Sequence, residues 1–258
     1  MAAGIQIDGL LYALNHPQTG RPIPVRAWTD TDGPRVPEFK PGDGYNHSRR
    51  RVLTQGQSVP LIDTAVWHWT GGEAGPDVMA ETLRKRKLGV EFAIGRTGEV
   101  WQFCDPGQVD TADAGVLNYR SLGVEIVCYG YRSWREPLRG TRPRLGNDRE
   151  LYEATTHGRT VKTARFYECQ VQSALALAAL FSRVLPIPCD VCTLDTLVGD
   201  LKMLRGHVGH YQISLDKRDP GPWFMERLRE HMWYVQTGEE ITRVALPSPG
   251  FLFPNRRA

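Results

Sequence analysis

The stretch at residues 209–224, GHYQISLDKRDPGPWF, constrains the fold most strongly, because it joins three ionisable side chains to a sharp break in secondary structure. It carries the imidazole of His210, the ammonium of Lys217 and the carboxylate of Asp219. The Pro-Gly-Pro that follows ends one element and begins a helix, since proline fits the first turn of a helix but not its interior. The stretch therefore predicts a polar connection between two ordered elements.

A second histidine suggests what this connection does. His68 lies in VWHWTGG, where an apolar strand ends at a glycine-rich turn, and such strand ends are where α/β folds place ligands. Two histidines and one carboxylate with a free coordination position form the ligand set of a catalytic zinc. His68 could instead be a core histidine bonded to backbone. His207 competes with His210, because either could line the carboxyl end of a strand at residues 201–206.

Glu125 and Lys217 are the predicted catalytic side chains. Glu125 interrupts the apolar strand LGVEIVC, and a buried carboxylate is costly unless it is paired or lies near a metal. It could act as a general base or form a buried ion pair with an arginine, and Glu91 in GVEFAIG is a rival. Lys217 and Asp219 point to the same side if the backbone is extended. Lys217 could then stabilise an oxyanion, or it could form a surface salt bridge.

Hydrophobic periodicity predicts an α/β fold, with a mixed central β-sheet flanked by helices in a single domain. The predicted strands are residues 61–69, 90–95, 98–103, 121–130 and 201–206, and the predicted helices are residues 78–88, 166–185 and 222–234. Residues 132–160 read as a long polar loop. The proline-rich residues 1–55 form an N-terminal arm or extension, residues 56–236 the main domain and residues 237–258 a C-terminal tail.

Composition excludes several classes of protein. The 258 residues are 41% hydrophobic and 24% charged, which suits a globular domain with a core. A net charge of +3 gives no general argument for a nucleic-acid partner. No segment approaches the roughly 18 apolar residues that span a bilayer, so we expect no membrane association. The N-terminus lacks a basic region and its apolar run is broken by Asp8 and Gly9, so we expect cytoplasmic synthesis without a signal peptide.

Cysteine usage gives no support for a disulfide framework or a structural zinc site. The chain has five cysteines, an odd number in a chain without a predicted secretory signal. Cys189 and Cys192 form a Cys-x-x-Cys, but a structural zinc site usually needs a second pair at matching spacing. An incidental or structural role is the simpler interpretation.

The motifs VWHWTGG, GVEFAIGRTGEVWQF, SLGVEIV and GHYQIS…KRDPGP, in this order and spacing, resemble the type-2 N-acetylmuramoyl-L-alanine amidases. These zinc enzymes share their fold with animal peptidoglycan recognition proteins, and the resemblance covers about residues 60–236. It implies zinc ligands at His68, His210 and Asp219, with Glu125 and Lys217 as catalytic residues. His210 is preferred to His207 because an isoleucine and a serine follow it at the offsets of the family.

The resemblance implies hydrolysis of the amide between N-acetylmuramic acid and the L-alanine of the stem peptide. The implied partner is peptidoglycan or a soluble muropeptide, and the oligomeric state is not predicted. We expect the protein to act on the cell wall after release or delivery, as a phage endolysin does. A cytoplasmic recycling amidase, a delivered toxin, an inactive peptidoglycan-binding module and a polymerase or transcription regulator remain open.

Two positions depart from the pattern of the family. Many relatives carry His-Ala-Gly where this chain has Asp113-Ala114-Gly115, and many carry Ser-x-His where it has residues 89–91, GVE. We expect both positions to shape the substrate groove more than the metal site. Four tryptophans near these motifs could contact sugar or peptide, although core packing is the simpler role: Trp67, Trp69, Trp101 and Trp134.

Overall fold

The computed structural model of the chain describes residues 4–27, 44–46, 62–130 and 149–237. The predicted boundary at residues 55–56, Trp134 and residues 238–258 of the tail lie outside these ranges. The strands are β1 Ile5–Ile7, β2 Leu10–Tyr12, β3 Val25–Ala27, β4 Tyr45–Asn46, β5 Thr64–Trp69, β6 Phe92–Ile94, β7 Val100–Gln102, β8 Asp110–Thr111, β9 Ser121–Ile126, β10 Leu151–Thr156, β11 Arg159–Ala164 and β12 Gly206–Gly209. The helices are α1 Pro76–Lys85, α2 Glu168–Val184 and α3 Pro222–Thr237.

A six-stranded mixed sheet in the order β12-β5-β9-β6-β7-β3 forms the centre of the molecule. Strands β12, β5, β9 and β6 are parallel, β7 is antiparallel to β6, and β3 is parallel to β7. The predicted mixed central sheet flanked by helices is therefore confirmed. The parallel strands end at the same edge, so side chains at their carboxyl ends are brought close together.

The two faces of the sheet pack against different helices. Helices α2 and α3 cover one face, where Trp67, Phe181 and Phe224 belong to the main hydrophobic core. A smaller cluster joins Met79 and Leu83 of α1 to residues of the β6–β7 region. Withdrawing each such side chain from water stabilises the fold by about 1.5–3 kcal/mol. No helix in the described ranges has the length and apolar character needed to cross a lipid bilayer.

The described N-terminal residues belong to the same packed body. Strand β3 extends the central sheet by pairing with β7, and Ile5 and Ile7 of β1 are part of the main core. The buried carboxylate of Asp105 accepts hydrogen bonds from the backbone N–H groups of Asp8 and Gly9 at 2.7 and 2.8 Å. These contacts attach the β1–β2 hairpin to the loop that follows β7.

Two predictions about secondary structure are wrong. The last strand of the sheet is β12, not residues 201–206. Residues 201–203 form a turn instead, because the Asp200 carboxylate accepts a hydrogen bond from the Lys202 N–H. Gly206, where β12 begins, adopts a positive φ of 82°. The predicted polar loop at residues 132–160 contains β10, which pairs with β11 as an antiparallel hairpin. Residues 131–148 lie outside the described ranges.

The other predicted elements are confirmed, with shifted ends. Strands β6 and β7 form the predicted hairpin, and α2 and α3 occupy the predicted segments. Helix α1 begins at Pro76, so a proline lies in its first turn. It ends at Lys85, three residues before the predicted end. It ends there because Lys87 takes a left-handed conformation with φ of 57°, which an α-helix cannot continue through.

Candidate metal centre and its cleft

Neighbouring strands place the predicted site residues at one edge of the sheet. His68 on β5 lies directly opposite Glu125 on β9 in the parallel register, and both are buried. His210 follows the last residue of β12, which pairs with the other side of β5. Asp219 lies in the loop before α3, and its carbonyl oxygen accepts the backbone N–H of Tyr211 at 3.0 Å. Four side chains from three parts of the sequence therefore meet at this edge.

The ligand atoms of His68, His210 and Asp219 form a compact triangle. The two Nδ1 atoms lie 2.9 Å apart, and Oδ2 of Asp219 lies 3.0 Å from Nδ1 of His210 and 3.3 Å from Nδ1 of His68. Zinc bonds of about 2.0–2.1 Å in a tetrahedron separate their ligand atoms by about 3.3 Å. The triangle thus has nearly the dimensions that a tetrahedral zinc requires.

The chemistry of these three side chains also suits zinc. Two imidazole nitrogens and one carboxylate oxygen form a catalytic ligand set that leaves one coordination position open. Within the described ranges, these residues are the one group of three or more His, Cys, Asp or Glu side chains whose ligand atoms all converge within 4.8 Å. Cys189 and Cys192 are half-buried and belong to no such group in the same part of the chain.

Strong electrostatic coupling marks the centre. Burial opposes protonation of His68, but hydrogen bonds with Asp113 and Asp219 outweigh it and raise the pKa of His68 to about 10. Burial and the neighbouring charge of His68 lower the pKa of His210. Burial alone would raise the pKa of Asp219, but hydrogen bonds with His210 and His68 lower it below its usual value. The carboxylates of Asp113 and Asp219 lie close to the two imidazole rings. A cation, either a proton or a metal ion, is therefore needed between these groups.

Glu125 has the properties of a general base. Burial raises the pKa of its carboxyl group to about 7, with the charges of Asp219 and Asp113 adding to the effect and that of His68 opposing it. Its Oε2 atom is buried and makes no hydrogen bond to any described residue. Glu125 also lines the cleft beside the three ligand residues. A desolvated, unpartnered carboxylate with a near-neutral pKa can take up and release a proton at physiological pH.

An open cavity of about 440 Å³ contains the site. Helix α1 supplies one wall, with Val78 and Thr82, and the loop with Asp216 and Lys217 supplies another. Lys217 is half-buried and lines the cavity, and its positive charge opposes the rise in the pKa of Glu125 and adds to the lowering of the pKa of His210. The cavity is large enough for a sugar or several atoms of a peptide.

The two rival residues of the sequence analysis lie elsewhere. His207 pairs with Ala65 of β5, so it shares the face of Trp67, away from His68. Its Nδ1 accepts a hydrogen bond from Nε1 of Trp67 at 3.3 Å. Glu91 is fully buried and its Oε2 accepts hydrogen bonds from the Thr111 hydroxyl and the Gly123 N–H at 2.8 and 2.7 Å. Neither rival lines the cleft.

The tryptophans divide between core and cleft. Trp67 is fully buried and packs against Phe224, with ring centroids 5.4 Å apart. Trp101 is partly buried and packs against the cluster beneath α1. Trp69 lines the cavity, so it is the described tryptophan that can reach a ligand there.

Asp113 corrects an expectation, because the structure places it at the metal centre as well as in the groove. Its Oδ2 atom lies 3.2 Å from Nε2 of His68, and both side chains are buried. The sequence alone gave no sign of this contact, since 45 residues separate the two positions and Asp113 lies in a short turn-like segment. The turn after β8 packs against Gly123 of β9, and this packing brings Asp113 to His68.

The chain is similar to known proteins in its sequence and in its fold. The sequence model of the N-acetylmuramoyl-L-alanine amidase family matches residues 57–222. No curated protein sequence matches the chain. Similar solved structures include a selenomethionine derivative of AmpD, with 18% identity and a TM-score of 0.39, covering 66% of this chain and 84% of AmpD.

Two further solved structures have similarly low sequence identities and TM-scores. AmpDh3 from Pseudomonas aeruginosa, in complex with anhydromuramic pentapeptide, is 16% identical with a TM-score of 0.43, covering 69% of this chain and 62% of that protein. The Drosophila peptidoglycan recognition protein SA is 14% identical with a TM-score of 0.41, covering 81% of this chain and 91% of that protein.

Proposed function

Because the chain belongs to the N-acetylmuramoyl-L-alanine amidase family, we propose that it is a zinc-dependent hydrolase of peptidoglycan or muropeptides. It cleaves the amide bond between the lactyl group of N-acetylmuramic acid and the L-alanine of the stem peptide. The observation that carries this proposal is the triangle of His68, His210 and Asp219 beside the unpartnered carboxylate of Glu125. All four side chains line one open cleft.

The ligand residues define what the metal contributes. Nδ1 of His68, Nδ1 of His210 and Oδ2 of Asp219 would hold the ion, since these atoms converge on one point. A bound zinc supplies Lewis-acid chemistry and lowers the pKa of water at the site. The cleft beside the triangle is open, so a scissile carbonyl could reach the three ligand residues.

Glu125 moves the proton in this mechanism. Its carboxylate accepts a proton from the attacking water, and it later returns that proton to the amine of L-alanine as the C–N bond breaks. The products are the carboxylate of the lactyl group and a peptide with a free amino terminus. A pKa of about 7 suits both steps, because the group changes charge readily near neutral pH.

Lys217 stabilises the negative charge that develops on the carbonyl oxygen. Its side chain lines the cleft, and its positive charge opposes the rise in the pKa of Glu125. Half-burial weakens the screening by water, so the charge acts more strongly than on an open surface. A cation placed in this way typically contributes on the order of 10² to 10³ in rate.

An inactive peptidoglycan-binding module is the main alternative. Such a module needs the cleft but needs neither a complete ligand set nor a buried base. This chain has all three ligand residues, and it keeps a desolvated carboxylate next to them at a cost that binding alone would not require. These features favour an enzyme over a receptor.

The test is hydrolysis by the Glu125→Gln variant of the full chain. The variant keeps the shape of the side chain but cannot accept a proton, so we expect a loss of about 10²- to 10⁴-fold in hydrolysis with one equivalent of zinc retained. Mass spectrometry of products from sacculi and from soluble muropeptides identifies the cleaved bond and the preferred form of the substrate. Metal analysis reports the zinc content.

Glu153→Gln, on the exposed face of the β10–β11 hairpin, is the matched control and should hydrolyse as the wild type does. The chelator EDTA should abolish wild-type hydrolysis, and added zinc should restore it. Near-normal turnover by Glu125→Gln would remove Glu125 from the mechanism. A wild-type protein that binds peptidoglycan but releases no new amino termini would favour the binding module.

A further inference from the structure

We propose that Asp113 is a positioning residue, which fixes the ring orientation and tautomer of His68 so that Nδ1 is presented to the metal. The inference deepens the proposed function and depends on its metal site. It concerns a position where this chain departs from the His-Ala-Gly turn of many relatives. Asp113 acts through His68, so its effect is on the affinity of the site rather than on the substrate.

The two ring nitrogens of His68 face different partners. Oδ2 of Asp113 lies 3.2 Å from Nε2, while His210 and Asp219 approach Nδ1 from the opposite edge of the ring. A carboxylate can only accept, so Nε2 carries the hydrogen and donates it to Asp113. When a metal ion displaces the proton from Nδ1, the lone pair of Nδ1 is directed at the triangle. Outer carboxylates of this kind also make the ligating nitrogen more basic.

Hydrogen bonds hold the turn from which the Asp113 side chain extends. The backbone N–H groups of Asp113 and Ala114 donate to Oδ1 of Asn118 at 3.2 and 2.7 Å, which fixes the turn. The Thr111 hydroxyl lies 3.2 Å from Oδ1 of Asp113 and 2.8 Å from Oε2 of Glu91. The Thr111 hydroxyl has one hydrogen, which it donates to the nearer Glu91, and its oxygen packs beside the Asp113 carboxylate. Residues that are locked by their own neighbours can hold a ligand to a small range of angles.

Gly123 supplies an independent sign that the fold makes room for this carboxylate. Gly123 lies on β9, two residues before Glu125. A Cβ atom at this position would lie 2.3 Å from Oδ2 of the Asp113 side chain, well inside van der Waals contact. Any larger residue at position 123 would push the carboxylate away from His68. The glycine and the aspartate thus fit each other as a pair.

Direct contact with the substrate is the competing role for Asp113, because it also lines the cleft. The two roles predict different measurements. A positioning residue changes zinc affinity and, once zinc is saturating, leaves KM unchanged. A substrate-contacting residue raises KM at saturating zinc and leaves zinc affinity unchanged.

The experiment measures zinc affinity of the full chain by competition with a chromophoric chelator. We expect Asp113→Ala to bind zinc about 10- to 100-fold more weakly than the wild type, because the outer partner of His68 is lost. Asp113→Asn keeps an acceptor oxygen without the charge, so its loss should be smaller. Glu153→Gln, on the exposed face of the β10–β11 hairpin and outside the cleft, removes a surface negative charge and should leave zinc affinity unchanged.

Each outcome decides the inference. Circular dichroism shows whether the variants fold, and if Asp113→Ala does not, the isosteric Asp113→Asn decides by its affinity and its histidine-ring NMR spectrum. In the zinc-bound wild type the Nε2 hydrogen of His68 should give a slowly exchanging, downfield-shifted signal because it is bonded to the Asp113 carboxylate, and in the Asn variant that signal should move upfield. Wild-type affinity and an unchanged Nε2 hydrogen signal in the folded variants would overturn the positioning role. A wild-type protein that binds no zinc would instead overturn the proposed function.

Discussion

His207 and His210 lie three residues apart, yet one is enclosed in the core and the other faces a reactive cleft. The His207 ring is satisfied by neutral partners, with Nδ1 near the Trp67 indole at 3.3 Å and Nε2 near the Ser182 hydroxyl at 3.1 Å. Burial lowers the pKa of His207 to about 3, so the ring stays neutral. The His210 ring instead faces another imidazole and a carboxylate.

The difference shows how strand register separates a core histidine from one that faces the cleft. His207 lies within β12 opposite Ala65, so its side chain points to the face covered by α2. His210 lies just beyond the end of β12, where the chain turns into a short 3-10 helix and is free to face the cleft. The enclosed cluster needs no ion to satisfy it, whereas the triangle at the cleft does. This contrast leads to three predictions.

The largest expected effect is on zinc content and hydrolysis when the two histidines are replaced one at a time. His210→Ala removes a corner of the triangle, so we expect loss of stoichiometric zinc and of hydrolysis, because two remaining ligands bind zinc far more weakly. His207→Asn keeps a hydrogen-bonding side chain in the core, so the variant should retain one equivalent of zinc and most of its activity. Metal analysis after desalting measures the first quantity, and release of amino termini measures the second.

The reverse result would break the comparison. Full zinc content in His210→Ala together with metal loss in folded His207→Asn would exchange the roles of the two histidines. Thermal unfolding of the metal-free proteins is the control, because it separates loss of metal from loss of fold.

A smaller effect is expected when the charge at the cleft is removed. Lys217→Met keeps the length of the side chain but removes its positive charge, so we expect kcat to fall by about 10²- to 10³-fold while zinc content stays at one equivalent. Lys202→Met, at an exposed position away from the cleft, is the matched control and should hydrolyse normally. If Lys217→Met retained wild-type kcat, the assigned role of this ammonium group would be wrong.

The smallest effect concerns the enclosed histidine and acid stability. The pKa of His207 falls from 6.5 to about 3 on folding, so between these values the unfolded chain binds a proton that the folded protein excludes. The free energy of unfolding therefore falls as pH decreases through this window, by up to about 1.4 kcal/mol per pH unit from this residue. His207→Asn should show a shallower slope in urea unfolding of the metal-free protein. An unchanged slope would mean that His207 is protonated in the folded state.

The sequence predicted the parts of the fold that depend on local pattern. The apolar strand at β5, the hairpin of β6 and β7, and helix α2 all show the periodicity that burial on one or both faces imposes. Glu125 and His68 stood out because each is an ionisable side chain in an apolar strand. These signals are local, so they can be recognised without knowledge of the tertiary structure.

Long-range packing decided what the sequence could not. Strand β12, GHVG, has two glycines and a histidine and no apolar alternation, so it is recognisable only by its pairing with β5. The β10–β11 hairpin was hidden in a polar segment, because much of its surface is exposed to solvent. Asp113 was assigned to the groove more than to the metal site, because its contact with His68 depends on the space left by Gly123.

The most direct test of the central claim is anomalous diffraction at the zinc edge from crystals grown with zinc. The account predicts one strong peak bonded to Nδ1 of His68, Nδ1 of His210 and Oδ2 of Asp219, at about 2.0–2.2 Å from each. A peak at Cys189 and Cys192 with none at the cleft, or no peak at all, would contradict it.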